Sequence, residues 1–160
     1  MTAKELDQTL DIYDDVTSDV RVSNSSTFET NLERWFEIVD ETPILDRVAR
    51  ELEARVNFPV WYKQSSIPMS SFAGSGNLRW PSGSENRIGM QIALFRAILS
   101  GNANYLGFYS AFFAGSDRLD DMVMEITNQV FGPMSLIFAD LSSSAPKQTR
   151  NRMFPLQTER

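Results

Sequence analysis

The sequence predicts a mainly α-helical fold: a single-domain bundle of about five to six helices. An N-terminal helical hairpin packs on a central apolar helix, and one long Ser/Gly-rich loop interrupts the bundle. Three observations predict this. Apolar residues recur at helical spacing, as in Phe28, Leu32, Trp35, Phe36 and Val39. Helix-opening pairs precede such runs: Ser26 with Glu29, Thr42 with Pro43, and Ser82 with Glu85. A chain of 160 residues with 42% apolar content is sized for one domain with a real core.

Residues 1–24 are acidic and polar, with a short stripe of Leu6, Leu10 and Tyr13. They read as an N-terminal arm, ordered only when it docks. The helical domain spans 25–141. Its first helix covers about residues 27–40, opened by a capping box in which Ser26 and Glu29 satisfy each other's free backbone N–H. Its second begins at Thr42-Pro43, with Thr as N-cap and Pro at the first helical position, and carries Ile44, Leu45, Val48, Leu52 and Val56. The short link folds the two into a hairpin. On the exposed face, Asp46–Arg50, Arg47–Glu51 and Glu51–Arg55 stand four apart and can pair.

Phe58-Pro-Val-Trp-Tyr62 reads as one strand or an extended linker, because Pro59 cannot donate to a ladder. The stretch from Gln64 to Arg79 is the long loop, the piece expected to order on a partner or stay mobile. Ser82 and Glu85 open a third helix to about Ser100, with Trp80 as a hydrophobic staple. It is apolar on most sides, as a central, surrounded helix is. Tyr105, Phe108, Tyr109, Phe112 and Phe113 define an aromatic-faced fourth helix. Ser116 caps a fifth that Gly132-Pro133 stops, and Met134–Leu141 forms a sixth. Residues 142–160 read as a basic, flexible tail.

Composition excludes more chemistry than it supports. The chain has no Cys and no His, which removes thiolate ligands, Cys nucleophiles, His-dependent triads and Cys/His zinc sites. No catalytic residue, metal ligand or cofactor site is assigned. The net charge of −6 is uneven: residues 1–57 hold fourteen acids against six bases, whereas 58–115 hold one acid against four bases. No concentrated basic face of the kind nucleic acid needs is present, so nucleic acid is not the expected partner. The N-terminus lacks the pattern of a secretory signal and no run is long enough to span a bilayer, which predicts a cytoplasmic protein without a membrane span.

The candidate site follows from what remains. Trp61, Tyr62, Lys63, Arg79, Trp80 and Arg87 combine aromatic rings with cations, the make-up of interface hot spots, and are assigned to partner binding ahead of core packing and of base stacking. Arg79, Ser82, Ser84 and Arg87 form a possible anion site at the start of the central helix. Gly74-Ser-Gly76-Asn-Leu-Arg79 starts like a dinucleotide fingerprint but has Arg at the third glycine position. Glu29, Glu33 and Glu37 make a like-charge ladder, either a solvated face or a surface for a basic partner. Asp117, Asp120, Asp121 and Glu125 suit the positive end of a helix better than a metal.

The sequence therefore predicts a non-enzymatic interaction or assembly subunit of a larger bacterial or phage complex, in a setting such as host–virus conflict. Its partner is a protein, a second copy of itself, or both. Two alternatives stand beside it: a sensor holding an anionic ligand or nucleotide at the central helix, and a carboxylate-based hydrolase with two acids across a cleft.

Overall fold

A computed structural model describes residues 2–65, 79–104, 107 and 118–153. It is a mainly helical bundle, with no strand among the described residues. The helices are α1 (Ala3–Arg21), α2 (Phe28–Glu41), α3 (Pro43–Glu53), α4 (Phe58–Ser65), α5 (Ser84–Leu99), α6 (Leu119–Ile126) and α7 (Gly132–Met153). A π-helical turn, Thr127–Phe131, joins α6 to α7. The predicted long loop (its residues 66–78) and aromatic fourth helix (105–113, apart from 107) lie outside the described residues.

The segment expected to be an arm is helix α1, docked into the core. A capping box opens it: Thr2 N–H donates to Glu5 Oε2 (2.6 Å) and Glu5 N–H to Thr2 Oγ1 (3.2 Å). Tyr13, Val16 and Val20 then fall on one face and are buried against the rest of the bundle. The N-terminus of α2 also differs from expectation. Asn24 Oδ1 accepts Thr27 N–H (3.1 Å) while Thr27 Oγ1 accepts Asn24 N–H (3.1 Å). That is the reciprocal box, two residues earlier than Ser26–Glu29, because Asn24 can fold its carbonyl onto the following amides in an Asx turn.

The predicted hairpin is α2–α3, and α3 lies along α5. Their approach is close at Gly89, where a Cβ would stand 2.2 Å from the carbonyl oxygen of Leu52. Only a residue without a side chain lets the two backbones pack this tightly. Pro43 holds the first position of α3, although the Thr42 hydroxyl makes no cap. Of the three expected pairs on α3, Asp46–Arg50 forms at 2.7 Å, while Arg55 reaches Glu85 instead.

Gly132-Pro133 does not end a helix. Proline in a helix interior lacks an N–H and clashes with the carbonyl four residues back. Here the preceding turn widens, so that Gly132 N–H bonds Thr127 O five residues back, and the chain continues as α7. Nor does the chain leave the fold at residue 142. Ser142, Ser143 and Ser144 donate their hydroxyls to the carbonyls of Phe138 (2.8 Å), Ala139 (2.9 Å) and Asp140 (2.9 Å). Their polar groups are thus satisfied within the helix, and α7 runs to Met153.

The centre of the core is Trp35, fully buried and ringed by Phe36, Phe131, Tyr13 and Phe138 at centroid distances of 4.9–6.0 Å from one another or from the indole. Its indole N–H donates to Thr17 Oγ1 (3.0 Å) and Tyr13 OH donates to Ser135 O (2.8 Å). Both polar tips are therefore satisfied where water is excluded. Among the described residues, no helix is long and apolar enough to cross a membrane.

Candidate functional site

Two surface features lie against this core. The first is built from α4, which the sequence suggested as a strand or linker. Asn57 opens the helix: its side chain accepts Val60 N–H (3.3 Å) and its carbonyl accepts Trp61 N–H (3.1 Å). Pro59 sits in the first turn, where a missing N–H costs nothing. Helical spacing then puts Phe58, Trp61 and Tyr62 on one side, partly buried against the core. Phe58 stacks on Tyr62 at 5.3 Å, and Trp61 stacks on Trp80 at 5.0 Å with rings 13° apart. Trp61 Nε1–H donates to the Arg79 carbonyl (3.0 Å). This shelf of four rings fixes residues 79–80 ahead of α5.

Of the six residues assigned to partner binding, the structure thus joins Trp61, Trp80 and the backbone of Arg79. Tyr62 belongs to the neighbouring stack with Phe58, a residue the sequence reading passed over. Its signal was present: Phe58 and Tyr62 are four apart, which matters only once Pro59 is read as a helix opener. Lys63, Arg79 and Arg87 are exposed, and none makes an ion pair among the described residues.

The start of α5 departs from the predicted capping box. Its N-cap is Gly83, at φ +90°, with no side-chain cap. Moving the cap from Ser82 to Gly83 leaves Glu85 one position short of reaching back to the N-cap N–H, and Glu85 pairs with Arg55 instead. Trp80 stacks on Trp61 of α4. Ser82 and Ser84, with Arg79 and Arg87 the proposed anion set, are exposed around this N-terminus. The Ser82 carbonyl accepts the Asn86 side chain (3.2 Å).

The second feature went unread in the sequence. Arg96, the lone charge in the apolar stretch 88–115, reaches out of α5 to carboxylates on two other helices. Its two terminal nitrogens bond Asp40 of α2 (3.0 and 2.6 Å), and Nε bonds Glu53 of α3 (2.8 Å). The guanidinium carbon lies 4.5 Å from the Phe36 ring centroid, a cation–π contact. Together they floor an open cleft of about 640 Å³, whose edge carries Glu33 and Glu37. Burial works against the Arg96 charge, yet its hydrogen bonds and charge contacts with Asp40 and Glu53 leave its pKa above the ordinary guanidinium value. For Glu53 burial wins, and its carboxyl is pushed above the usual range despite Arg96. The floor of the cleft is thus an intramolecular cluster of one guanidinium, two carboxylates and one ring.

Asp120, in the acidic group 117–125, serves the fold. It accepts both the hydroxyl (2.6 Å) and the N–H (2.9 Å) of Ser25, tying the α1–α2 turn to α6. Those bonds hold its carboxyl below the usual range. Compared with known proteins, the chain matches no family model, no curated protein and no solved structure.

Proposed function

We propose that this chain is a non-enzymatic, cytoplasmic interaction subunit that docks into a multiprotein assembly through the aromatic shelf on α4 and the cations beside it. The observation that carries the reading is the Trp61–Trp80 stack. Two indoles held parallel, with one N–H already bonded to the backbone, stay partly exposed, and Lys63, Arg79 and Arg87, near them in sequence, are exposed as well. Preorganised aromatic area beside unpaired cations is what an interface centre needs, because little rotamer entropy is left to lose on docking.

The groups with displaced pKa values support the non-enzymatic part: Glu5 and Arg50 serve bonds within their own helices. Tyr13, Glu53, Arg96 and Asp120 each take part in a hydrogen bond or ion pair that joins two helices or a helix to a turn. In the cleft, Asp40 and Glu53 are bridged by Arg96, which leaves the hydrolase reading least supported.

The test is affinity recovery of the chain from its native source beside a Trp61→Ala/Tyr62→Ala variant whose folding is confirmed by circular dichroism. A stoichiometric partner with the wild type and at least about tenfold less with the variant, equivalent to about 1.4 kcal/mol, is expected. Equal recovery with both would overturn the assignment. Loss of anion-dependent thermal stabilisation in Arg79→Ala/Arg87→Ala, with partner recovery unchanged, would favour the anion sensor instead.

A further inference from the structure

We propose that the occupant of the shelf is a second copy of this chain, docked head to tail, with the shelf of one copy on the acidic cleft of the next. This rests on reading the shelf as a docking surface.

Charge is the first argument. The fold pairs Arg34, Arg50, Arg55 and Arg96 with carboxylates. Among the described residues it leaves Lys63 and Arg79 beside the shelf, Arg87 on α5, and Glu29, Glu33 and Glu37 along α2 exposed and without an ion pair. Two sets of opposite sign are thus presented to solvent by one molecule.

Position is the second. Arg87 and Arg96 are nine residues apart on α5, about 2.5 turns and about 14 Å along the axis. They leave the helix on opposite sides, so Arg87 faces away from the cleft that Arg96 floors. One chain cannot close the contact on itself, and the pairing runs between copies. Such a heterologous contact closes as a ring or propagates as a filament.

The third argument is what the cleft already accepts. Arg96 shows its preference: a guanidinium, gripped by a carboxylate through two nitrogens and laid on the Phe36 face. Glu33 and Glu37 offer the same chemistry at the cleft edge, and Arg79 and Arg87 supply the same cation. Exposed ion pairs contribute about 0–1 kcal/mol each, so the contact is weak and holds only when both charge sets act together with the covered indoles, which makes it sensitive to salt and to the loss of either set.

Sedimentation velocity tests this with the full chain and two exposed-charge variants, Arg79→Ala/Arg87→Ala and Glu33→Gln/Glu37→Gln, each checked for an unchanged melting curve. The wild type is expected to grow with concentration at about 0.01 M ionic strength, where screening extends about 30 Å, and to return to monomer near 1 M. Each variant alone should remain monomeric. Mixed one to one, they should form a species of two chains and nothing larger, since only one intact shelf and one intact cleft then meet. A wild type that is monomeric throughout, an oligomer that neither variant disrupts, or a mixture that does not associate overturns the proposal. If the wild type is monomeric yet a different protein is recovered in a Trp61-dependent way, the self-docking inference fails alone. If no Trp61-dependent partner of any kind is found, the functional reading fails with it.

Discussion

Trp35 and Trp61 are the same residue used in two ways. Trp35 is fully buried, surrounded edge-on and at a tilt by rings from α1, α2, α7 and the π turn. Its N–H is met by a side chain on α1. Trp61 lies flat on a second indole at the protein surface, with its N–H on a backbone carbonyl. The first arrangement maximises contact in every direction and is worth most to folding. The second leaves both indoles only partly buried, which contributes less to the fold.

The largest effect that sharpens this contrast is truncation. Trp35→Ala should cost about 3–5 kcal/mol in urea unfolding, the range for emptying a well-packed aromatic site. Trp61→Ala should cost about 1–2 kcal/mol, because a partly exposed ring gives up only part of its transfer energy. Equal losses would show that the shelf is core, and its exposure incidental. Next in size is Gly89→Ala. The added methyl would meet the Leu52 carbonyl at 2.2 Å, so α3 and α5 must separate, at about 1–3 kcal/mol or more. That change should loosen the centre and leave the Trp61–Trp80 stack intact, visible as lost near-ultraviolet signal from one indole environment and not the other.

The indole N–H groups give a finer separation. Thr17→Val preserves shape but leaves the buried Trp35 N–H without an acceptor, at about 1–3 kcal/mol. Trp61→Phe removes an N–H whose partner carbonyl lies near the surface, where water replaces it, and should cost only about 0.5 kcal/mol. Urea midpoints of the two variants decide between them. Similar losses would mean that the two indoles share one environment.

The centre was legible in the sequence and the site only in part, for physical reasons. Phe28, Leu32, Trp35, Phe36 and Val39 repeat at 3.6-residue spacing, and burial follows such a repeat wherever one face must leave water. Helix ends were harder to place. Asn24 and Thr27 formed the reciprocal box expected of Ser26 and Glu29, with Thr27 as the N-cap of α2; Gly83 took the cap from Ser82, and the π turn carried the chain past Gly132-Pro133. Each outcome turns on backbone angles that residue identity only biases. The cleft was hidden because Asp40, Glu53 and Arg96 are far apart along the chain, and each alone resembles a solvated charge. Only the packing of α2, α3 and α5 brings them within 3 Å. The clue lay in Arg96 itself: the lone charge of the apolar stretch 88–115 must find carboxylates or pay for desolvation.

The smallest expected effect concerns acid. Asp120 has its pKa lowered by the hydrogen bonds from Ser25, so the stability it adds is present above the unfolded aspartate value and is lost as pH falls through the folded one. Glu53 is the opposite case. Its pKa is raised, chiefly by burial, so the folded state takes up its proton more readily than the unfolded chain. Its contribution is fully present below the unfolded value and is lost as pH rises through the folded one. Urea midpoints followed from neutral pH to about pH 3, near the reference carboxylate values, should therefore separate two variants by sign. Asp120→Asn should start below the wild type and converge with it on acidification. The wild type should gain on Glu53→Gln over the same interval, because only the wild type can take up the proton. Parallel curves for Asp120→Asn would mean that the Ser25 clasp does not depend on charge. Parallel curves for Glu53→Gln would mean that Arg96 offsets burial in full, leaving the cleft floor ionised like any surface pair.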